Sequence, residues 1–572
     1  MDQDRGDADA RGADREDMDR GDADIRGADI GNADIRGADI RLSTGRGRWV
    51  VLTTVLGSSM AMLDSTVVNV ALPHIGRSLD ADLAVLQWTV NAYMVTLAGL
   101  ILLGGSLGDR YGRRRVFVIG VVWFALGSLL CGIAPDAAIL IAARALQGVG
   151  GALLVPGSLA IIQSSFHPDD RARAVGVWSG LGGVGAAAGP FLGGWLVDGP
   201  GWRWVFLINV PLAAICVPVA LRHVPETRDP AAHGRFDVAG AVLGAVALAL
   251  VTYALIARVV WPGVLGVVAA VALVRVERRR PEPMLPPSVF ASRLFTSVNV
   301  VTLCVYAAFG GFFFLAALQL QVVAGYSALG AGAALLPTTV LMLLLSARSG
   351  ELAQRIGPRL PLTVGPLLCA AGMVLMLRVG EQARYVADVL PALVVLGLGM
   401  VTLVAPLTST VLASVDITRA GLASGINNAA ARAAGLIAVA ALPLLAGMGP
   451  EAYRSATEFG ATFRRALPLL AGVLVAGAVI AWTTVRGPAV AGEEAAAPGA
   501  EAGPEGAAAR EEAGGQAGQV GQGAQAVPGE RAGPGRAEPG RAEPECRFNC
   551  ALTPPVEADR RGRGQGGGQG RL

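Results

Sequence analysis

The stretch GSLGDRYGRRRVF, residues 105–117, says most about the fold of this chain. Gly105 and Gly112 permit tight backbone turns, and Asp109 stands where a carboxylate can meet the N-terminus of a neighbouring helix. Three arginines, Arg110, Arg113 and Arg114, lie within five consecutive residues of this stretch. Apolar runs long enough to cross a bilayer flank the stretch on both sides. The pattern therefore predicts a short charged loop between two membrane spans.

The composition is that of a polytopic membrane protein. Hydrophobic residues make up 53% of the 572 residues and charged residues 16%, and the mean hydropathy is +0.52. Such a chain is built to lie in membrane lipid. The net charge of +3 is small, and no basic groove with interleaved aromatics is visible, so we expect no nucleic-acid partner.

Apolar windows of about 20 residues predict fourteen transmembrane helices. With the N-terminus in the cytoplasm, arginines concentrate in the even-numbered loops, as the positive-inside rule requires. A thirteen-span chain would place later arginine-rich loops outside, so we favour fourteen spans with both termini cytoplasmic. The expected fold class is an all-α membrane protein. Its predicted parts are a six-helix half at 49–222, two additional helices at 237–276 and a second six-helix half at 296–486.

Both ends of the chain differ in composition from the apolar body. Residues 1–48 carry a five-residue rhythm, ADIRG ADIGN ADIRG ADIRL at 23–42, which resembles pentapeptide repeats. A short repeat coil and a disordered acidic tail both stay open. We favour disorder, because so few copies bury little core. Residues 487–572 are Gly/Ala/Pro-rich low complexity, and we predict a disordered tail there too.

The signature stretch has a second copy, GELAQRIGPRL at residues 350–360, about 245 positions later. The two copies align without a gap, although Gln354 replaces Asp109, and such parallel repetition is typical of two-half transporters. The first copy resembles the signature loop of the major facilitator superfamily. The resemblance implies two six-helix halves and a gating role for the first copy, which we assign to Gly105, Leu107, Asp109, Arg110, Gly112, Arg113 and Arg114.

The predicted fourth span reads LIAARALQGVGGALLVPGSLAII, residues 140–162. Arg144 lies inside the apolar run, followed by Gln147 and Gly148. One interpretation is an arginine that snorkels from the end of the span. The other is a resemblance to the superfamily's fourth-helix motif, which implies a role for the arginine in proton transfer.

The predicted fifth span contains GAAAGPFLGGW, residues 185–195. Small residues here allow two helices to approach closely, and the proline bends the span. The pattern resembles the antiporter motif of the superfamily, which implies export, through Gly185, Gly189, Pro190, Gly193 and Gly194. Three features narrow the resemblance to the fourteen-helix drug:proton antiporter branch of the superfamily. They are the fourteen predicted spans, the stretch GWRWVFLINVP at 201–211 and the stretch GLASGINNAAARAAG at 421–435.

One acid stands inside the first predicted span, Asp64 in AMLDSTVVNVALP at 61–73. A carboxylate at bilayer depth is costly unless it is neutralised, paired or facing water. At about 1.5 Å of rise per residue, Asp64 and Arg144 lie at similar depth, so the two can interact if their helices are neighbours. The stretch resembles the first-helix motif of the same branch. We therefore predict that Asp64 and Arg144 couple proton movement to transport, with a purely structural hydrogen bond as the alternative.

Other polar residues in the predicted spans are candidates for lining a substrate cavity. For each of them alone, ordinary helix packing explains the residue at least as well. They are Asn69, Asn91, Tyr93, Asn209, Asn428 and Arg432.

These patterns predict a proton-coupled antiporter that exports hydrophobic or amphiphilic drugs or secondary metabolites across a bacterial plasma membrane. One alternative is an exporter of a single metabolite, such as an amino acid or lipid, and another is a non-transporting scaffold or sensor. We expect no enzyme activity, because no nucleophile–base pair, metal cluster or phosphate-binding loop is visible. We expect no catalytic residue, no bound metal and no cofactor beyond the proton gradient. The expected partners are a small-molecule substrate, protons and lipid, and the expected state is a monomer.

Overall fold

A computed structural model describes residues 40–229, 237–280, 283–416, 420–449 and 452–485 of the chain. Across these ranges the secondary structure is helical, apart from one isolated β-bridge between Ile40 and Phe166. The repeat up to residue 39 and the tail from residue 486 lie outside the described residues.

Six long helices form the first half of the bundle. Several begin after a capping side chain, since Asp82 accepts a hydrogen bond from Val85 N and Asp136 accepts one from Ile139 N. Such caps satisfy amide groups that the first helical turn leaves unpaired. The six helices are α1 (Gly45–Ser78), α2 (Leu83–Tyr111), α3 (Arg113–Gly132), α4 (Ala137–Ser165), α5 (Pro168–Asp198) and α6 (Trp204–His223), the last broken at Ile208.

Two additional helices, α7 (Val238–Ala257) and α8 (Val260–Glu277), follow as a hairpin. Arg258 adopts a left-handed conformation between them, with φ 58°. Helix α7 packs closely on α2, because a Cβ atom on Gly99 would lie 2.6 Å from the Cβ of Ala245. It also contacts the helix that begins at residue 420. The hairpin thus lies over a seam between the two halves.

The second half consists of six further helices. Its first helix ends in a π-helical turn, Gln319–Val323, and its second is interrupted at Leu335. The six are α9 (Arg293–Val323), α10 (Ala328–Ile356), α11 (Arg359–Arg378), α12 (Tyr385–Ala413), α13 (Ala420–Leu445) and α14 (Ala456–Thr484).

Thirteen helices of the described residues are long and apolar enough to cross a membrane. Helix α5 is not among them, although it is 31 residues long. It packs along α1. With α5 included, the expected fourteen helices are present, and the prediction of an all-α membrane protein is confirmed.

The contacts between helices repeat from the first half to the second. Helix α1 packs on α5, α2 on α4, and α3 on both α4 and α6. Eight helices later, α9 packs on α13, α10 on α12, and α11 on both α12 and α14. The same helix–helix contacts in the same chain order are expected when the two halves are parallel repeats. The halves meet mainly along α5 with α10 and along α2 with α13.

The helical body begins before the predicted position 49. Helix α1 starts at Gly45, because Thr44 caps it and the first helical turn is polar. Upstream of the cap, Ile40 N donates a hydrogen bond to Ser165 O at 3.0 Å and the Ile40 side chain is buried. The last residues assigned to a disordered tail are therefore part of the packed body.

The alternating helices give the bundle two faces, which we name by their loops. The signature face carries the turns at Gly112 and Gly357, and the turn face carries the connection at Asp80. Helices α1, α3 and α5 run from the signature face to the turn face, and their even-numbered neighbours return.

Candidate functional site

A buried ion pair lies in the middle of the first half. Arg144 Nη1 on α4 donates a hydrogen bond to Asp64 Oδ2 on α1 at 2.5 Å. Each residue is only 1% exposed. Arg144 therefore does not snorkel to the end of its span, and the structure brings the two residues of the predicted proton-coupling pair into direct contact.

Gln147 connects this ion pair to a third helix. Its Nε2 donates to Asp64 Oδ1 at 2.7 Å and to Ser128 Oγ on α3 at 2.7 Å. Its Oε1 accepts from Arg144 Nη1 at 2.6 Å. Asn209 on α6 also donates to Ser128 Oγ, at 3.3 Å. Both carboxylate oxygens of Asp64 are thus satisfied by groups that are themselves fully buried.

The rest of the guanidinium is enclosed by α2 and α6. Arg144 Nε donates to the backbone oxygen of Thr89 at 2.9 Å. Its Cζ lies 4.5 Å from the centre of the Tyr93 ring and 5.6 Å from that of the Phe206 ring. Aromatic faces attract a cation, so the arginine keeps favourable contacts on several sides. This site, which we call the Asp64 network, draws on all helices of the first half except α5.

The negative charge of Asp64 holds several contacts of the Asp64 network, so a proton on this carboxylate would change more than one of them. With Asp64 ionised, the pair is neutral and each donor named above faces an acceptor. A proton on Asp64 removes the countercharge of Arg144, and a buried unpaired charge is costly. A proton on Asp64 would therefore weaken the contact between α1 and α4. Electrostatic interactions are stronger in these low-dielectric surroundings than in water, so the energy involved is large.

Close packing around the network depends on glycine. A Cβ atom on Gly148 would lie 2.0 Å from Thr96 Oγ1 and 2.4 Å from Tyr93 O on α2. A Cβ on Gly127 would lie 2.7 Å from the Cα of Gln147. Because neither position has room for a larger side chain, α4 lies directly against α2 and α3 and its polar residues reach their partners.

The remaining cavity candidates fall into two groups. Asn91 is buried on α2, and neither amide atom has a hydrogen-bond partner among the described residues; the Tyr93 hydroxyl is in the same position. Asn69 only donates to Ser65 O on its own helix, at 3.3 Å. Asn91 and Tyr93 therefore present polar groups that are buried without a protein partner among the described residues.

Two of the candidates belong to the second half. Arg432 Nε on α13 donates to Asn428 Oδ1, one helical turn earlier, at 3.1 Å. Helix α13 packs on α2 of the first half and on α9 of the second. Arg432 thus belongs to a helix that contacts both halves.

Helices α2 and α3 meet at Gly112, so the predicted charged loop is reduced to this one residue. The signature stretch around it is held by contacts between its own side chains and by contacts with the segment after α6. Asp109 Oδ1 accepts from Arg113, with a closest distance of 2.7 Å. Gly112 has φ 112°, a value that favours glycine. Glu226, after α6, accepts from Arg114 N at 3.1 Å, and its carboxylate lies 3.6 Å from the Arg114 and Arg115 guanidiniums. The segment after α6 is therefore part of this loop's structure.

The glycines of the antiporter motif are contact points of α5. Added Cβ atoms at Gly185 and Gly189 would lie 2.9 Å from Ser59 and 2.0 Å from Thr66 on α1. One at Gly194 would lie 2.5 Å from Ala328 O on α10. The motif thus lets one helix pack tightly on both halves of the molecule.

Polar contacts between the halves concentrate on the turn face. Gln87 donates to Val439 O at 2.7 Å, and Gln321 donates to Val70 O at 2.9 Å. Arg454 pairs with Asp80 at 2.7 Å. Asp198 accepts from the backbone amides of Ala328 and Leu329 at 3.2 and 2.8 Å. These hydrogen bonds join the two six-helix halves near the turn face.

Several residues of the site escape sequence reasoning. Ser128 is one hydroxyl in an apolar span, Thr89 contributes only its backbone oxygen, and Phe206 contributes a ring face. Glu226 had a visible signal, since it is an acid directly after a span that ends on the same face as the arginine-rich loop. The others become visible only when the helices are packed.

The sequence profile of the Major Facilitator Superfamily matches residues 54–439, more than half of the chain. The chain is 37% identical over 478 residues to the puromycin resistance protein pur8 of Streptomyces alboniger, covering 78% of this chain and 93% of that protein. It is 35% identical to the tetracenomycin C resistance and export protein of Streptomyces glaucescens, covering 70% of this chain and 76% of that protein.

Solved structures support the same fold. A transporter of the POT family, crystallised with a thioalcohol-conjugated peptide, superposes with a TM-score of 0.60 at 15% identity, covering 78% of this chain and 98% of that one. A bacterial homologue of the human lysosomal transporter Spinster superposes with a TM-score of 0.56 at 18% identity, covering 77% and 97%. With two parallel six-helix halves, a signature loop and drug-resistance exporters among its relatives, this chain is a multi-pass membrane transporter that belongs to the major facilitator superfamily.

Proposed function

We propose that this protein is a proton-coupled antiporter that exports hydrophobic or amphiphilic drugs or secondary metabolites from a bacterial cell. The observation that carries the proposal is the buried Asp64–Arg144 ion pair at 2.5 Å. An ionisable pair inside a membrane domain marks a functional site, often a proton relay. Relatives named for puromycin resistance and for tetracenomycin C export give the substrate class.

In the proposed cycle, Asp64 alternates between a salt-bridged carboxylate and a protonated acid. The guanidinium of Arg144 favours the carboxylate, and burial without the guanidinium favours the acid. Asp64 takes up a proton from the outside and separates from Arg144. It releases the proton inside when the pair forms again. Proton and substrate occupy the transporter in alternation, which is antiport.

We propose that the signature face is cytoplasmic, together with both termini, because its loops hold the arginine clusters. The turn face, which then faces outward, is held shut by Gln87, Gln321, Asp198 and Arg454. This arrangement is that of an inward-facing state. The formed Asp64–Arg144 pair fits the moment after proton release and before substrate binding.

The substrate is expected between the halves, next to the Asp64 network. Asn91 and the Tyr93 hydroxyl offer buried polar atoms without a protein partner among the described residues, and Arg432 lies on α13 of the second half, which packs on α2. Tyr306, Phe309 and Phe313 form a chain of edge-to-face aromatic contacts on α9. A few polar groups among aromatics suit a largely apolar compound. We propose that the monomer needs no cofactor beyond the proton gradient.

The test is transport into inverted membrane vesicles, with puromycin and ethidium as the probes. Asp64→Asn keeps the size of the side chain and removes its charge. We expect this variant to lose proton-driven accumulation while it still exchanges unlabelled for labelled probe without a gradient. Such exchange needs the cavity but no proton coupling. Full gradient-driven accumulation by the Asn variant would refute the proposed role of Asp64.

Asp136→Asn is the matched control, because Asp136 is an exposed helix cap with no cation bound to it among the described ion pairs. It should transport like the parent chain. A wider panel of drugs then measures breadth. Export of only one compound class would favour the single-metabolite exporter, and full transport after removal of both tails would exclude a role as a tail-based scaffold.

A further inference from the structure

A second group of buried acids lies far from the Asp64 network, at the base of the additional hairpin on the signature face. Asp237 caps α7 and Glu277 ends α8, and the two residues are only 7% and 3% exposed. Apart from Asp64, they are the buried acids among the described residues. The proposed transport cycle does not use them.

One oxygen of each carboxyl group is well bonded. Asp237 Oδ1 accepts from Gly240 N at 2.7 Å and lies 3.1 Å from Arg280 Nη1. Glu277 Oε2 accepts from Leu285 N at 3.1 Å. These contacts fix both side chains, so the positions of their other oxygens are set by the fold.

The other two oxygens, Asp237 Oδ2 and Glu277 Oε1, are buried and have no partner among the described residues. Both point to one place, because a Cβ atom on Gly240 would lie 2.6 Å from each of them. Buried polar atoms are normally hydrogen-bonded, and two facing acceptors have no donor between them. A proton or another cation between the two oxygens would satisfy both of them.

The charge count favours a proton. Arg280 is the charged group bound to this acid pair within the described residues. The other charged side chains on the helices that pack on α7 are Asp109 and Arg110 at the end of α2, Arg275 on α8 and Arg432 on α13, and Arg278 follows directly after α8. Two ionised carboxylates against one arginine would leave a net negative charge in a buried place, and like charges disfavour double ionisation. Two free oxygens are also too few to enclose a metal ion.

We propose that Asp237 and Glu277 bind one proton between them, as a site that responds to the pH at the signature face and clasps the base of the α7–α8 hairpin. Asp237 is the ionised partner, since Arg280 and an amide both bind it. Glu277 carries the proton and donates it to Asp237 Oδ2. A protonated carboxyl donating to a carboxylate is a short, strong hydrogen bond.

The clasp predicts a sign for the effect of pH. The folded chain holds a proton at neutral pH that an unfolded chain releases, so stability falls as the pH rises. Glu277→Gln replaces the shared proton with a permanent amide donor and keeps the acceptor for Leu285 N. This variant should fold and should lose the pH dependence of the clasp.

The direct test is infrared difference spectroscopy on purified protein in the Asp64→Asn background, which removes the other buried acid. We expect a protonated-carboxyl band at pH 7 that disappears with Glu277→Gln and remains with Asp136→Asn. Between pH 6 and pH 9 the melting temperature of the Glu277→Gln variant should fall by several degrees less than that of its parent. Absence of the band, or its persistence in the Gln variant, would overturn the proposal.

A titration with NaCl and with CaCl₂ separates a proton from a metal cation. We expect the melting temperature to follow pH and to be indifferent to which salt is present at equal ionic strength. Stabilisation by one cation, with no response to pH, would mean that the acid pair is a metal site and the shared proton is wrong. These readouts do not involve transport, so they stand apart from the test of Asp64.

Discussion

The two halves of the bundle agree at their ends and differ in their middles. Helix α2 spans Leu83–Tyr111 and its counterpart α10 spans Ala328–Ile356, so both ends are shifted by the same 245 positions that separate Gly105 from Gly350. The glycines that follow, Gly112 and Gly357, both have positive φ, 112° and 80°. The repeat thus preserves where helices turn.

The middle of the repeat has lost its symmetry. At the position that corresponds to Asp64, the second half has Phe309, and at the position of Ser128 it has Met373, both buried. Phe309 packs edge-to-face against Phe313, where the first half has an ion pair. The difference teaches that the duplicated scaffold keeps helix ends and packing, while the buried ion pair of the first half has no counterpart at the matching positions of the second.

Arg144→Ala should have the largest effect of the substitutions that test this difference between the halves. The change leaves Asp64 buried without its countercharge, and breaking a buried ion pair in this way costs about 3–5 kcal/mol. Phe309→Leu, at the counterpart of Asp64, should cost less than about 1.5 kcal/mol because it nearly conserves volume. Chemical denaturation of both variants in the same detergent measures the difference.

A double variant separates charge from packing. Asp64→Asn with Arg144→Gln removes both charges, and its free energy of unfolding should recover much of what Arg144→Ala loses, while proton-driven transport stays absent. If Arg144→Ala were as stable as the parent chain, the ion pair would not be buried in the way described.

The seam between the halves offers a second, intermediate effect. A Cβ atom on Gly332 would lie 2.0 Å from the backbone oxygen of Pro190, so Gly332→Ala forces α5 and α10 apart on the turn face. Overpacking of this kind costs about 1–3 kcal/mol, enough to shift a two-state equilibrium roughly 5- to 150-fold. Spin labels at position 138, in the first turn of α4, and at position 381, on a loop of that face, should report longer distances.

Gly330→Ala is the matched control on the same helix, because its added Cβ would make only an ordinary contact at 3.4 Å. It should leave the label distances unchanged. Equal distances in both variants would show that the contact of Gly332 with Pro190 does not hold the turn face closed.

Sequence reasoning succeeded where a pattern is local and failed where it depends on neighbours. Hydropathy, the two signature loops and the polar residues Asp64 and Arg144 are visible along the chain, and from them the family was identified and the helix count reached. The partners Ser128, Thr89 and Phe206 carry no such pattern, because they contribute a common hydroxyl, a backbone oxygen and a ring face. The acid pair of the hairpin was missed because its members are 40 positions apart and meet only when α7 and α8 fold together.

The smallest expected effect concerns the contacts of one arginine in each signature copy, Arg114 in the first and Arg359 in the second. Arg114 lies 3.6 Å from the carboxylate of Glu226, whereas its counterpart Arg359 lies over the ring of Trp482, 3.9 Å from the ring centre. A partly exposed ion pair contributes about 1 kcal/mol at most and weakens with salt. A cation over an exposed ring contributes about 0.5–1 kcal/mol, and much of that contact is packing.

We therefore expect Glu226→Gln to lower the free energy of unfolding by up to about 1 kcal/mol at low ionic strength, and the loss to shrink at high salt. Trp482→Leu should give a loss of similar size that salt changes much less. Glu351→Gln, at an exposed acid near the end of α10 in the second signature copy, is the control and should cost nothing measurable. If the two losses depended on salt equally, both halves would hold their loops by charge, and the difference between them would disappear.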